Sequence, residues 1–524
     1  MERTLKIYRA SAGSGKTFTL ALEYMKLLIE DPDVYRRILA VTFTNKATGE
    51  MKERILSKLY GVANKTSDAL DYLQKLKEML PDKSEEEIVA NANKALQKLL
   101  HDYGHFHIQT IDAFFQSVLR GLARELDLNG DMEISLDGED LLNDAVDTYI
   151  KNLEPNTVEI EQVIRYIKDK LDSDGKWKVD EKIKTFAKNL LKEEYQQNGE
   201  ELSRELQENN GAALKQFHTD VLAYKKSIVD KAKDIATRFF SYAQGYDASN
   251  FHNGKKGIWG LFEKLRTGEV VPVSDARAAL VATPEKISGS CPYCAEIASL
   301  IQEAIPLHKQ KVTCDLSLEH YHQLSLLNNI ANTLREENTR ENRFLLAETT
   351  FLLSTMISNN STFIFEKIGT IIDHIFIDEF QDTSKLQWTC FKVLLEEVLA
   401  RGNFNLIVGD VKQSIYRWRN SDWNIMNKIS THFNDGMTTF ASQDVNVNGK
   451  VYKSTNYRSD SRIIEFNNAL FCAAVDSIHS TYKEVIGQSG LKEVASAYED
   501  VEQAVPQPAP GKAPRPAQGY LYER

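Results

Sequence analysis

The sequence predicts an α/β fold in which a parallel sheet covered by helices is interrupted by a large all-helical insertion. Three observations carry that prediction. Over the first 60 residues short apolar runs alternate with helix-period segments, the alternation that builds parallel sheets. From about residue 68 to 350 the pattern is helical and charged throughout. Two apolar runs that end in carboxylates then return, at 374–378 and 405–410.

In chain order, Leu5-Lys6-Ile7-Tyr8 reads as a short strand, followed by a Gly/Ser turn and an amphipathic helix from Phe18 to about Glu30. Ile38 to Phe43 is a continuous apolar run of the doubly covered strand type, and Lys46 to Tyr60 returns to helical period. In the helical block, Glu85–Leu100 and Leu214–Phe240 repeat apolar residues at helix spacing. The stretch 254–292, richer in Gly and small residues, reads as a less regular connection, and no internal repeat is present. His374–Asp378 is a strand leading into a helix that runs to about Leu399, and Asn405–Asp410 repeats that arrangement. Five of the 12 prolines fall between 506 and 516, a composition that favours extended polyproline and forms no core. A linker with only a short segment after it implies a longer parent chain. The expected divisions are 1–125 and 346–450 for the two parts of the sheet lobe, 126–345 for the helical insertion, 451–503 for the start of a second lobe, and 504–524 for a Pro-rich linker or tail.

The 524 residues allow about three domains. Lys and Arg number 64 against 75 Asp and Glu, a formal charge of −11. That balance excludes nucleic-acid binding by bulk charge and leaves only a local basic channel. Five cysteines without framework spacing point to a reducing compartment. The N-terminus has no apolar leader and no uncharged run approaches 18 residues, so the expected location is cytoplasmic, with no membrane partner.

Three segments carry chemistry. Ala10-Ser11-Ala12-Gly13-Ser14-Gly15-Lys16-Thr17 lies between a strand and a helix and matches the P-loop pattern except that Ala10 replaces the first glycine. Small residues let backbone N–H groups face an anion, and the helix N-terminus adds its positive end. Lys16 would reach the β- and γ-phosphates of ATP, and the Thr17 hydroxyl would hold Mg²⁺. Asp378 and Glu379 end a strand, where Asp378 would hold Mg²⁺ through water and Glu379 would activate the attacking water as general base. In Gly409–Arg419, Gln413 at a strand end can sense a γ-phosphate, and Tyr416, Trp418 and two arginines form an aromatic–basic cluster suited to single-stranded nucleic acid. Read alone, that last segment also fits an amphipathic helix with Tyr416 and Trp418 in a core.

Taken together with Val41-Thr42-Phe43-Thr44-Asn45-Lys46-Ala47, Thr110-Ile111-Asp112-Ala113-Phe114-Phe115 and Asn456-Tyr457-Arg458-Ser459, these segments resemble motifs I, Ia, Ib/Ic, II, III and IV of superfamily 1 helicases of the UvrD/Rep type, in order. The segment Arg9–Thr19 is most similar to the RecB/AddA branch, the motor subunits of recombination-repair helicase–nucleases. The resemblance covers residues 1 to about 470. It implies a RecA-like P-loop NTPase lobe (1A) carrying a helical 1B-type insertion. It also implies roles: Lys16 and Thr17 on phosphate and Mg²⁺, Asp378 on Mg²⁺, Glu379 as base, Gln413 coupling γ-phosphate to DNA, Tyr457 stacking on adenine and Arg458 on the γ-phosphate. Phe43, Tyr416 and Trp418 would contact single-stranded bases, with Asn45 and Thr110 nearer the DNA backbone. The implied activity is ATP-dependent 3′-to-5′ translocation on single-stranded or 3′-tailed DNA, and the implied partner is a second, nuclease-bearing protein chain.

The chain departs from the family pattern at several points. Thr48 stands where a second Ala is usual, Asp112-Ala113 replaces His-Ser, and no glutamine precedes the ATP loop. Nothing after Ser459 resembles motifs V or VI, and no nuclease motif is present. The alternative expectation is therefore a truncated ATP- and DNA-binding module with little activity until a missing lobe or partner completes it. Three weaker signals carry no function. Cys291-Pro292-Tyr293-Cys294 has metal-pair spacing but no second pair. His101, His105 and His107 sit at the entry to a strand, and Asp127–Asp131 has Met132 where a calcium loop needs Gly.

Overall fold

A computed structural model describes residues 5–9, 11–121, 133–135, 138–155, 157–174, 179–207, 212–341, 343–345, 350–351, 353–354, 372–433, 438–441, 445–447, 450–452, 454–485 and 496–506. The chain divides into two compact units, Met1–Leu136 with Asn342–Arg524, and Asp137–Glu341.

The first unit is built on strands β1 (Leu5–Arg9), β2 (Ile38–Thr42), β3 (Ile108–Thr110), β4 (Glu133–Ser135), β5 (Arg343–Leu345), β6 (His374–Ile377), β7 (Asn405–Gly409), β8 (Thr438–Ala441), β9 (Val445–Val447) and β10 (Lys450–Tyr452). Its long helices are α1 (Lys16–Glu30), α2 (Asn45–Ala63), α3 (Leu70–Met79), α4 (Glu85–His101), α5 (Ile111–Gly121), α6 (Lys385–Ala400) and α7 (Ser461–Val485). Six strands form one sheet in the order β3-β2-β6-β7-β1-β8, and every neighbouring pair is parallel. β4 pairs with β5, and β9 with β10, in separate two-stranded ladders.

All five residues of β2 and of β7 are buried, as expected of strands covered on both faces. Alternation within β6 and β7 divides the core. Phe376 and Leu406 pack with Tyr24 and Leu28 of α1, Ile55 and Leu59 of α2, and Ile88 and Leu99 of α4. Ile375, Ile377 and Ile407 face the other way, onto Phe115 of α5 and Phe391 and Leu395 of α6. Each such side chain contributes roughly 1.5–3 kcal/mol by leaving water. The start of α4 is fixed by a reciprocal cap in which the Ser84 side chain accepts from Glu87 N–H and Glu87 accepts from Ser84 N–H; Ser384 and Gln387 do the same for α6. Because the strands are parallel, the loops leaving β1, β2, β3, β6 and β7 all emerge at one edge of the sheet. That is the edge where open α/β sheets place ligands.

Among its described residues the second unit holds helices and no strand, the longest being Ala212–Tyr242, Cys294–Leu318 and Tyr321–Arg340. One core centres on Phe239, whose ring stacks on Phe262 at 4.1 Å, with Ile235, Ile297 and Ile301 around it. The Cys294 thiol donates to the Ser288 and Cys291 carbonyls, and the buried Cys291 thiol donates to Tyr242 O at 3.8 Å, so both thiols have partners within the protein. No group of three or more His, Cys, Asp or Glu that could hold a metal occurs among the described residues. Nor is any described helix long and apolar enough to cross a membrane. Residues 127–131 and 507–524 lie outside the described residues.

Candidate functional site

The loop after β1 begins at Ser11 in the described structure; Ala10 lies outside it. Gly13 and Gly15 have φ +76° and +92°, in the left-handed region that a side chain disfavours. Gly15 is the N-cap of α1, with Lys16 and Thr17 in the first turn, where backbone N–H groups lack helical partners. Ser14 is tied down twice, its N–H and hydroxyl both donating to Ser11 O, at 3.2 and 2.7 Å.

β6 delivers Asp378 and Glu379 to the same edge. Lys16 Nζ donates to Glu379 Oε2 at 3.0 Å, joining the loop to the acidic pair. Glu379 is held at φ 49°, ψ 43°, a left-handed conformation costing a non-glycine residue on the order of 1–2 kcal/mol. Asp378 is buried and accepts from Glu379 N–H at 3.0 Å. Burial, and then the Glu379 charge, push its carboxyl up to about 6, against a smaller opposing pull from Lys16. A buried carboxylate in that state fits a cation site, since a divalent ion would offset the penalty that raises it.

Asp382 and Gln381, not singled out by sequence, belong to this cluster. Gln381, 1% exposed, donates from Nε2 to Glu379 Oε2 at 2.9 Å and to Asp382 Oδ2 at 3.2 Å, while its Oε1 accepts from Asp410 N–H at 2.9 Å. Asp382 is also pushed up to about 6, by burial first and Glu379 second. Their place directly after the Asp378–Glu379 pair is visible in the sequence, but their bridging to β7 is not. Gln413 is placed on a short turn, Val411–Gln413, and donates to Asp410 Oδ2 at 2.7 Å; Lys412 pairs with the other oxygen at 3.0 Å.

The segment after Gln413 is carried on 3₁₀ turns, not an amphipathic helix, and Trp418 is 70% exposed. The core reading of that segment is therefore wrong for Trp418. Its two aromatics are two residues apart, a spacing that does not put them on one helical face. Phe43, just beyond β2, lies against Tyr416 with ring centroids 4.6 Å apart, and Tyr416 and Trp418 are 6.0 Å apart. The Arg419 guanidinium sits 5.8 Å from the Phe43 ring and 5.1 Å from that of Trp418, an arrangement that adds positive charge to the aromatic platform. Asp112 is partly buried and pushed up by that desolvation, with Arg419 and a hydrogen bond from Gln387 pulling it down, so α5 also meets this cluster. Asn45 is exposed at the start of α2. The Thr110 hydroxyl accepts from Ala113 N–H at 3.2 Å and so caps the turn into α5.

Tyr457 and Arg458 reach the ATP-loop candidate. Tyr457 N–H donates to Gly13 O at 2.9 Å while its ring is 60% exposed. A Cβ built on Gly13 would lie 2.4 Å from Asn456 Oδ1 and 3.0 Å from Arg458 Cβ, so only glycine allows this approach. The candidate residues thus gather in two neighbourhoods, Ser11–Thr17 with Asp378, Glu379, Tyr457 and Arg458, and Phe43 with Tyr416, Trp418 and Arg419.

Comparison with known proteins places this geometry in context. A sequence profile described as the UvrD/REP helicase N-terminal domain matches residues 2–434. The chain is 24% identical over 499 residues to an ATP-dependent helicase/nuclease subunit of Streptococcus pneumoniae (strain Hungary19A-6), covering 89% of this chain and 38% of that protein. The helicase/nuclease proteins of the same name from Syntrophomonas wolfei and Alkaliphilus oremlandii are 26% and 22% identical, over 88% and 94% of this chain and 36% and 39% of theirs. The chain therefore spans little more than a third of the length of these relatives.

Proposed function

The chain belongs to the UvrD/REP helicase N-terminal domain family, and from that premise we propose that it is the ATP- and DNA-engaging first part of a recombination-repair helicase that moves 3′ to 5′ along single-stranded or 3′-tailed DNA. The observation that carries the proposal is the 3.0 Å contact between Lys16 and Glu379, with Asp378 buried beside them. It joins the anion loop of one strand to the acidic pair of another.

In this reading the N–H groups of the loop and Lys16 hold the phosphates of ATP. Thr17 and Asp378 would hold Mg²⁺, which when bound supplies charge neutralisation on the β- and γ-phosphates. Glu379 accepts the proton of the attacking water. Its link to Lys16 in the ligand-free chain keeps the carboxylate oriented until phosphate takes the ammonium. Tyr457, with its ring exposed beside Gly13, stacks on adenine, and Arg458 faces the γ-phosphate. Gln413 couples γ-phosphate to the DNA side. Phe43, Tyr416 and Trp418 stack on bases, helped by Arg419, while Asn45 and Thr110 stand nearer the strand's backbone. The relatives' name, a helicase/nuclease subunit, also supports a second protein chain as partner, which this reading takes to be nuclease-bearing and to act with it in the cytoplasm.

The test is steady-state ATP hydrolysis with and without single-stranded DNA, beside Glu379→Gln. Loss of one general base should cost roughly 10²–10⁴-fold in rate while nucleotide binding persists. DNA-stimulated turnover abolished by the substitution supports the reading. Binding of both ligands without turnover favours the second reading, a module completed by a further lobe or partner, which the coverage of little more than a third of the relatives favours. Failure to bind either ligand refutes both.

A further inference from the structure

Each carbonyl from Ser11 to Gly15 accepts a hydrogen bond. Ser11 O accepts from Ser14, Ala12 O from the Gln503 side-chain amide at 2.8 Å, and Gly13 O from Tyr457 N–H at 2.9 Å. Ser14 O accepts from the Tyr8 hydroxyl at 3.4 Å and Gly15 O from Thr19 N–H at 2.9 Å. A trans peptide is planar, with its C=O and N–H pointing to opposite sides. Pinning the carbonyl of one residue therefore aims the N–H of the next. The bond from Gln503 to Ala12 O sets the Gly13 N–H, in the same way that the bond from Tyr8 sets the Gly15 N–H.

Gln503 is itself held on both sides. Its Oε1 accepts from Asn456 Nδ2 at 3.0 Å, so the amide can present only its Nε2 to the loop. Its backbone N–H and C=O pair with the Asn468 side chain on α7 at 3.0 and 2.9 Å. Ala504 forms a two-bond bridge with Ser454 and Asn456. None of these main-chain contacts depends on the Gln503 side chain.

Resting on the reading of Ser11–Thr17 as the ATP loop, we propose that Gln503 is a positioning residue that preorganises this loop for phosphate by fixing the Ala12–Gly13 peptide. It acts through the loop backbone and touches no nucleotide. A loop already turned toward the anion binds it without ordering cost; one freed at this peptide must be ordered on binding.

The experiment uses isothermal titration of the full chain with ADP–Mg²⁺ and, separately, with inorganic tripolyphosphate, on the unaltered protein, Gln503→Met, Gln503→Ala and a Lys16→Ala control. Hydrogen exchange of the loop amides is followed in the ligand-free proteins. Loss of one neutral hydrogen bond predicts roughly 3- to 10-fold weaker binding of both ligands in the two Gln503 variants. Faster exchange confined to the amides of 13–16 should accompany it, with β1 and α7 unchanged. Unchanged affinity overturns the inference. So does weaker binding of ADP alone, which would place Gln503 against the nucleoside, or faster exchange across the whole unit, which would make its role merely structural. If the unaltered chain binds neither ligand and matches Lys16→Ala, the ATP-loop reading falls and this inference with it.

Discussion

Asp378 offers a quantitative test that needs no catalysis. Its carboxyl stands at about 6 in the folded chain, against an ordinary 3.8, because it is buried and faces Glu379. A carboxyl whose folded value exceeds its unfolded value binds its proton more tightly in the folded state. Its ionised form therefore destabilises the ligand-free protein above pH 6, and the penalty fades as pH falls from 6 toward 3.8. Roughly two pH units at about 1.4 kcal/mol each gives a penalty on the order of 3 kcal/mol at neutral pH. Asp378→Asn keeps an oxygen to accept the Glu379 N–H and removes the charge. In EDTA at about pH 7.5 the variant should melt higher than the unaltered chain, by roughly 6 °C at about 2 °C per kcal/mol, and the two should converge only as the pH falls to about 3.8 and below. Thermal unfolding followed by circular dichroism at half-unit pH steps measures this directly. Adding Mg²⁺ with ADP should stabilise the unaltered chain and leave the variant nearly unmoved. A variant that melts no higher at neutral pH, or a gap constant across pH, would refute the reasoning, because it would mean that contacts within the protein already compensate the Asp378 charge.

Three further outcomes are expected. Trp418→Ala, at an exposed ring whose loss disturbs no core, should weaken single-stranded DNA binding by roughly 1–3 kcal/mol, read by fluorescence anisotropy, and leave ADP affinity unchanged. Gln381→Leu leaves the buried Asp410 N–H without its acceptor and should lower stability by roughly 1–3 kcal/mol in urea unfolding. Gly13→Ala places a Cβ 2.4 Å from Asn456 Oδ1 at a φ of +76°, and should weaken ADP binding roughly 10-fold or more by titration calorimetry.

The strands that build the sheet are legible in the sequence because doubly covered strands need continuous apolar runs, and Ile38–Thr42 and Asn405–Gly409 supply them without local ambiguity. The loop at Ser11–Thr17 is legible for a different reason: its glycines at positive φ and its lysine form a local pattern that owes nothing to distant residues. What stays hidden depends on distance along the chain. Gln503 meets Ala12 across 491 positions and Asn456 across 47, and no periodicity relates them. Arg419 is visible as one of two arginines near Trp418, but its place over Phe43 follows only from β2 and β7 ending at one sheet edge. The core reading of 409–419 fails at Trp418 because it weighs the two aromatics by hydrophobicity alone, whereas the turns that carry them leave Trp418 in solvent.

The contacts of Gln381 bear on how a change at Glu379 reaches the aromatic cluster. Its Nε2 serves Glu379, its Oε1 serves Asp410 N–H, and its carbonyl accepts from the Ser414 hydroxyl at 3.2 Å, two residues before Tyr416. Asp382, also bound by Gln381, faces the Ile415 backbone N–H. An amide 1% exposed has no water to replace a lost partner, so turning it away from Glu379 strands a buried N–H at a cost of roughly 1–3 kcal/mol. The side-chain amide thus ties Glu379 and Asp382 to the Asp410 N–H, while the main-chain carbonyl of the same residue holds Ser414, so one buried residue links the acidic pair to the turn that carries Tyr416. Lys16 and Gln381 donate to the same Glu379 Oε2, so an anion that draws the ammonium away leaves Gln381 as the donor that holds this oxygen and keeps the carboxylate joined to the turn before Tyr416.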